Sequence, residues 1–117
     1  MSIRLKRVYD KPPKSDGRRV LVDRIWPRGL NKDEARIDEW LKEIAPSAGL
    51  RKWFAHDPAR WKEFKGRYAA ELNKNREQVE QLARSTRKRS VTLLFGAKDT
   101  EHNNAVALKE YLMSKVK

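Results

Sequence analysis

Asp23, Arg24 and Arg28 follow directly on the apolar run Val20-Leu21-Val22, with Ile25, Trp26, Pro27 and Gly29 among them. A carboxylate here can act as a general base or orient a ligand. An arginine can hold a carboxylate or phosphate through two parallel N–H bonds. Trp26 offers a flat face to a planar molecule. Each residue also has a purely structural role open to it. Asp23 can close an ion pair with Arg24 or Arg28 at a strand end, and Trp26 can cover the edge of the core.

A second group follows the apolar run that ends at Phe95: Gly96, Lys98, Asp99, His102 and Asn103. Asp99 and His102 are three residues apart, close enough to share one face of a helix. A helix start offers free N–H groups and positive potential to an anion, and it favours a neutral imidazole suited to proton transfer. The structural alternative is that Asp99 or Thr100 only caps the helix and His102 lies exposed in its first turn. His56, in Trp53-Phe54-Ala55-His56-Asp57-Pro58, is the third candidate, as a ligand contact or as a hydrogen-bonded spacer between helices.

Several chemistries have no motif behind them. The chain contains no cysteine, which removes disulfides, thiol catalysis and thiolate metal sites. Neither HxxH nor HExxH spacing is present, so no metal is expected, and no cofactor either. A P-loop, a GxGxxG and a nucleophile elbow are all missing, as are zinc-finger, RRM and homeodomain signatures.

The elements that must position these residues follow from periodicity and turn chemistry. Residues 3–9 read as a short strand, and residues 11–17, dense in Pro, Lys, Ser, Asp and Gly, as a loop. Residues 19–24 form a second strand, buried on both faces. The short connection favours an antiparallel pairing of these two strands. Asn31 caps a helix whose apolar face carries Ile37, Trp40, Leu41 and Ile44, and Ser47 caps a short one holding Leu50, Trp53 and Phe54. Asp57-Pro58 opens the longest helix, over about residues 58–85, with Trp61, Phe64, Tyr68, Leu72, Val79 and Leu82 inward. Residues 90–95 give a third strand. A last helix, capped by Asp99 or Thr100, turns Ala105, Leu108 and Leu112 to the core. Strand, long helix, strand and helix make a parallel crossover, whose ligands gather at the carboxyl ends of the strands. If the Val20 and Val91 strands are neighbours, their two polar groups face each other.

At 117 residues the chain is expected to form one domain over residues 1–117, with a single core. Its ten aromatic residues (four Trp, three Tyr, three Phe) mark it as folded despite 38% charged residues. Twenty-eight Lys and Arg stand against 16 Asp and Glu, for a net charge of +12. A field of that sign attracts nucleic acid, phosphorylated metabolites or anionic surfaces, or it serves only solubility. Basic clusters lie at Arg4-Lys6-Arg7, Arg84-Arg87-Lys88-Arg89 and Lys115-Lys117. No stretch has the apolar length of a signal peptide or a membrane span, so a cytoplasmic protein without membrane contact is the expectation.

The chain resembles the YeaO-like family, within a larger bacterial superfamily of domains of unknown function. The resemblance covers nearly the whole chain. It rests on the run from Asp16 to Leu30, on Trp40-Leu41-Lys42-Glu43-Ile44-Ala45-Pro46-Ser47, and on Leu50-Arg51-Lys52-Trp53-Phe54-Ala55-His56-Asp57-Pro58. Trp61, Phe64, Tyr68, Glu71-Leu72, the run from Val91 to Phe95, Asp99 and His102-Asn103 complete it. Related branches of the superfamily carry cysteines near the last strand and helix, so a thiol mechanism does not carry over to this chain. The resemblance supports a shared site near Asp23, Arg24, Arg28, Asp99, His102 and Asn103, without naming its ligand.

The fold expected is α/β: a small, mainly parallel sheet of about three strands covered by helices, one of them long and amphipathic. The first function expected is binding of, or action on, an anionic or nucleotide-like small molecule. Arg24 and Arg28 hold the anion, Trp26 packs on it, Asn103 and His56 contact it, and Asp23, or His102 beside Asp99, handles a proton. A basic nucleic-acid-binding accessory protein without catalysis is the second reading, and a protein-interaction module the third.

Overall fold

The structure is a computed structural model that describes residues 2–10 and 17–115. Residues 11–16 of the expected loop and the last two residues of the chain lie outside them. Four strands form one sheet: β1 (Ile3–Arg7), β2 (Arg18–Leu21), β3 (Glu39–Trp40) and β4 (Val91–Phe95). Their order is β1-β4-β2-β3, and every neighbouring pair is parallel.

The α/β class stands, but the first two strands do not pair with each other. β4 lies between them and pairs in parallel with both, Ile3 beside Val91 and Val20 beside Leu93. The reason is burial. Every residue of β4 is buried, and a strand so apolar gains most at the centre of a sheet covered on both faces. All four carboxyl ends therefore point the same way. β2 and β4, the strands that lead into the two polar groups, are neighbours.

One face carries the larger core. Val20, Val22, Val91, Leu93 and Phe95 pack there against four helices: α2 (Ala48–Phe54), α3 (Trp61–Lys74), α4 (Arg76–Lys88) and α5 (Asn104–Lys115). The helix expected over residues 58–85 is divided. A 3-10 turn (Pro58–Arg60) leads into α3, and Asn75 separates α3 from α4. Asn75 leaves helical geometry at φ −107 and ψ 51, and its side chain donates to the Glu43 carbonyl at 2.9 Å. Both pieces still contribute to one core, α3 through Phe64, Tyr68 and Leu72, α4 through Val79 and Leu82. Ala105, Leu108 and Leu112 of α5 are fully buried, as their spacing requires.

The opposite face has a smaller cluster of Val8, Leu21, Ala35, Ile37 and Leu94, with Trp26 and Leu30 against it. Here the expected helix through Ile44 is overturned. Asn31 does cap a helix, its side-chain oxygen accepting from Asp33 N and Glu34 N. That helix, α1 (Lys32–Ala35), stops where Arg36 turns left-handed at φ 53. The chain then zips along β2. Arg19 N donates to the Asp38 carboxylate, Asp38 N to Arg19 O and Leu41 N to Leu21 O. Arg18 pairs with Glu39 at 3.0 Å. Ile37 thus joins the smaller cluster and Ile44 the larger one. The i, i+3, i+4, i+7 spacing is shared between two faces of a sheet, not laid along one helix.

Tyr68 joins α3 to the 3-10 turn Lys42–Ile44, its hydroxyl donating to the Ile44 carbonyl at 2.6 Å. Burial, with help from the Glu71 carboxylate, pushes this phenol far above its ordinary value, so it stays a protonated donor. Tyr68→Phe leaves a buried carbonyl without its donor. Thermal denaturation should show a loss of about 1–3 kcal/mol.

Candidate functional site

The carboxyl ends of β1, β2 and β4 open into a cavity of about 690 Å3, within the range of small-ligand sites. Its floor is set by Asp23. The Asp23 carboxylate accepts from Gly96 N at 2.8 Å, which ties the β2 loop to the end of β4. A side chain at Gly96 would bring its Cβ to 3.2 Å from that carboxylate, which would have to give by a few tenths of an ångström. Asn104, the first residue of α5, donates to Val22 O at 2.8 Å and also hydrogen-bonds Asp23. Burial raises the Asp23 carboxyl above its ordinary value. The Gly96 N–H, the Asn104 side chain and the Arg51 guanidinium pull it the other way.

The loop after Asp23 is held by ring donors to backbone carbonyls. Trp40 Nε1 donates to Asp23 O at 2.7 Å, Trp26 Nε1 to Leu30 O at 3.0 Å, and the Tyr9 hydroxyl to Arg28 O at 2.9 Å. Trp26 and Trp40 also meet edge to face, with centroids 5.3 Å apart. The indole of Trp26 both covers the smaller cluster and lines the cavity, so the two roles read from its type coexist.

The arginines divide. Arg24 lines the cavity, but its guanidinium donates to Pro46 O at 3.1 Å and Ala45 O at 3.2 Å, bracing the turn before α2. Arg28 lines the cavity from an exposed position, and its side chain has no hydrogen bond or ion pair among the described residues. Neither arginine forms an ion pair with Asp23. Arg51 on α2, not singled out as a site residue by the sequence, reaches the same cavity. Its Nε is buried and has no partner among the described residues. The signal for it was slight: position 51 follows the buried Leu50 by one and precedes the buried Phe54 by three, which puts it beside the helix's inner face.

His102, Asn103 and Asn104 complete the far side of the cavity. α5 begins later than its sequence suggests. The Asn103 side-chain oxygen caps it, accepting from Val106 N at 3.0 Å. Asp99 instead closes the turn before the helix, accepting from Glu101 N at 2.9 Å and His102 N at 3.0 Å. Its other oxygen meets His102 Nδ1 at 3.0 Å. The Glu101 N–H first, then the His102 ring and N–H, hold the Asp99 carboxyl below its ordinary value. A carboxylate only accepts, so Nδ1 is the donor and Nε2 is the ring's remaining polar atom. Trp61 packs edge-on to this imidazole at 5.3 Å.

His56 lies on the cavity's rim in a left-handed conformation at φ 56. Phe54 and Phe64, stacked with centroids 4.4 Å apart, supply an apolar wall. Seven of the eight residues proposed from sequence thus border one cavity, and Asp99 stands behind it, bonded to His102. No group of three or more His, Asp or Glu among the described residues is placed to hold a metal ion. No helix among them is long and apolar enough to cross a membrane.

Comparison with known proteins gives a consistent family. "Uncharacterized protein YeaO" of Escherichia coli is 45% identical over 114 residues, covering 97% of this chain and 99% of the relative. "Uncharacterized protein Rv3073c" of Mycobacterium tuberculosis is 40% identical over 110 residues, covering 94% and 92%. No solved structure matches. A family model described as "Inactive DUF488-N3 subclade" matches residues 2–117, and the chain belongs to that family, among its YeaO-like members.

Proposed function

We propose that the protein binds an anionic, nucleotide-like small molecule in the cavity at the carboxyl ends of its strands. The observation that carries this reading is Arg51: a guanidinium on the cavity's lining whose Nε–H is buried with no partner among the described residues, near a carboxylate to which it is not bonded. A buried donor left unpaired costs about 1–3 kcal/mol, and more when it is charged; an oxyanion brought into the cavity beside Arg51 offsets part of that cost through its charge. Arg28 adds a second cation, whose donors meet no acceptor among the described residues. The Phe54–Phe64 wall with Trp26 suits a planar, apolar portion. His102, fixed through Nδ1 by Asp99, offers Nε2 as a hydrogen-bonding atom to the same ligand.

The family description "inactive" favours binding without turnover. Asp23 then serves as the anchor of the loop and the counter-charge of Arg51, not as a base.

Calorimetric titration with nucleoside monophosphates and with inorganic phosphate tests the proposal. A member of the panel should bind, and Arg28→Ala should weaken it about tenfold while leaving the melting temperature nearly unchanged. Arg51→Ala should weaken it by roughly ten- to a hundredfold. The reading is wrong if no anion in the panel binds, or if both variants bind as the unaltered protein does.

A further inference from the structure

At the other end of the sheet, where the strands begin, a groove of about 370 Å3 gathers cations from distant parts of the chain. Arg18 opens β2. Arg84, Lys88 and Arg89 come from the last turns of α4 and the residue after it, at spacings of four and one that place them together at the helix end. Gly17 and Ser90 bring the two segments together. Arg18 N donates to Ser90 O at 3.0 Å, and Gly17, at φ 69, passes so close that a Cβ there would lie 2.5 Å from that oxygen. The convergence is therefore built into the backbone.

Among the described residues, two carboxylates stand near these four cations. Glu39 pairs with Arg18, and Glu80, one turn back on α4, reaches Arg84 at 3.6 Å and Arg87 at 3.8 Å. Lys88 and Arg89 form no ion pair among the described residues. Like charges held together repel in the free protein, and an anion along the groove relieves that repulsion. The α4 carbonyls at this end already favour cations. More positive charge is collected here than the helix end and two carboxylates balance.

Leu41 and Leu82 line the groove together with the polar side chains of Ser85 and Gln81. Cations along a groove match the phosphates of a single strand, whose backbone such a groove tracks. A groove of about 370 Å3 is too small to take up a duplex. We propose that it is a second binding site, for single-stranded nucleic acid, separate from the cavity at Asp23.

Fluorescence anisotropy with labelled single-stranded RNA and DNA oligonucleotides, and with a duplex of the same length, tests this across a range of salt concentrations. The paired charge reversal Arg84→Glu with Lys88→Glu should weaken single-strand binding about tenfold or more. It should also lower the salt slope by about 1.4, roughly 0.7 for each phosphate of a single strand that no longer meets a cation. Lys62→Glu with Lys74→Glu makes the same change in net charge outside both cavities and should weaken it less than about threefold. Arg51→Ala should leave strand binding unchanged, whatever it does to small anions. Circular dichroism confirms that each variant is folded. An equal loss in both pairs of reversals would reduce the effect to the general field of a +12 protein and overturn the site. Equal affinity for the duplex, or no binding of either strand at low salt, would overturn it as well.

Discussion

Asp23→Ala should destabilise the protein by about 2–4 kcal/mol, because two donors lose their acceptor at once. Gly96 N loses a 2.8 Å hydrogen bond, and the Asn104 side chain loses one of its two partners. The effect also reaches Arg51, which loses the counter-charge of Asp23. In thermal denaturation this corresponds to a fall of roughly 8–16 °C for a domain of this size. A shift below about 2 °C would show that water entering the cavity replaces the carboxylate, and that Asp23 does not hold β2 to β4.

Asp23→Asn separates shape from charge. An amide oxygen can still accept from Gly96 N, so the loop keeps its anchor. Burial raises the Asp23 carboxyl in the folded protein, so the native state keeps that proton to a higher pH than the unfolded chain does. Ionising it therefore costs stability as pH rises through the carboxylate range. The asparagine variant lacks that cost. Its stability relative to the unaltered protein should rise as pH climbs from below the ordinary carboxylate range to above it, in denaturant titrations at a series of pH values. A difference that is flat, or that runs the other way, would mean that Gly96, Asn104 and Arg51 together outweigh burial.

The site was legible in the sequence where it depended on strand ends. An apolar run that stops at a charged residue or a glycine marks the end of a buried strand, as at Asp23 and at Gly96. Neighbouring strands then bring them together. What was not legible depended on competition between elements. Ile37, Trp40, Leu41 and Ile44 satisfy a helix, yet Asp38 and Glu39 gain more from Arg19 and Arg18 on β2. No local rule weighs a helix turn against a strand pairing with residues about 20 positions away. The placement of β4 between β1 and β2 was hidden for the same reason, since chain order says little about order in a sheet. Arg51 escaped because its part is set by what its guanidinium lacks, and a missing partner leaves no trace in a sequence.

Arg24 is where residue type and geometry diverge most, and its variant should show it. Beside Asp23 and before Trp26-Pro27-Arg28, its type suggests a cation for the ligand. In the structure its Nε and one Nη donate to the carbonyls of Pro46 and Ala45, both buried residues at the exit of the 3-10 turn that leads to α2. Two carbonyls lose a charged donor in Arg24→Ala, and the expected loss is about 2–3 kcal/mol by denaturant titration. Arg24→Lys should recover less than half of it, because a single ammonium cannot reproduce the planar fork that spans two successive carbonyls. Arg28→Ala, by contrast, should be nearly neutral, since its side chain touches no polar partner among the described residues. Stability and anion affinity measured on the same variants then assign the roles. If Arg24 is the brace, its loss lowers stability first and affinity only as α2, and with it Arg51, shifts. If Arg24→Ala instead abolishes anion binding in a protein that melts as before, its remaining N–H groups face the ligand and the two carbonyls are held by water. The order in which those two quantities fall decides whether the charge beside Asp23 belongs to the ligand or to the scaffold that presents Arg51 to it.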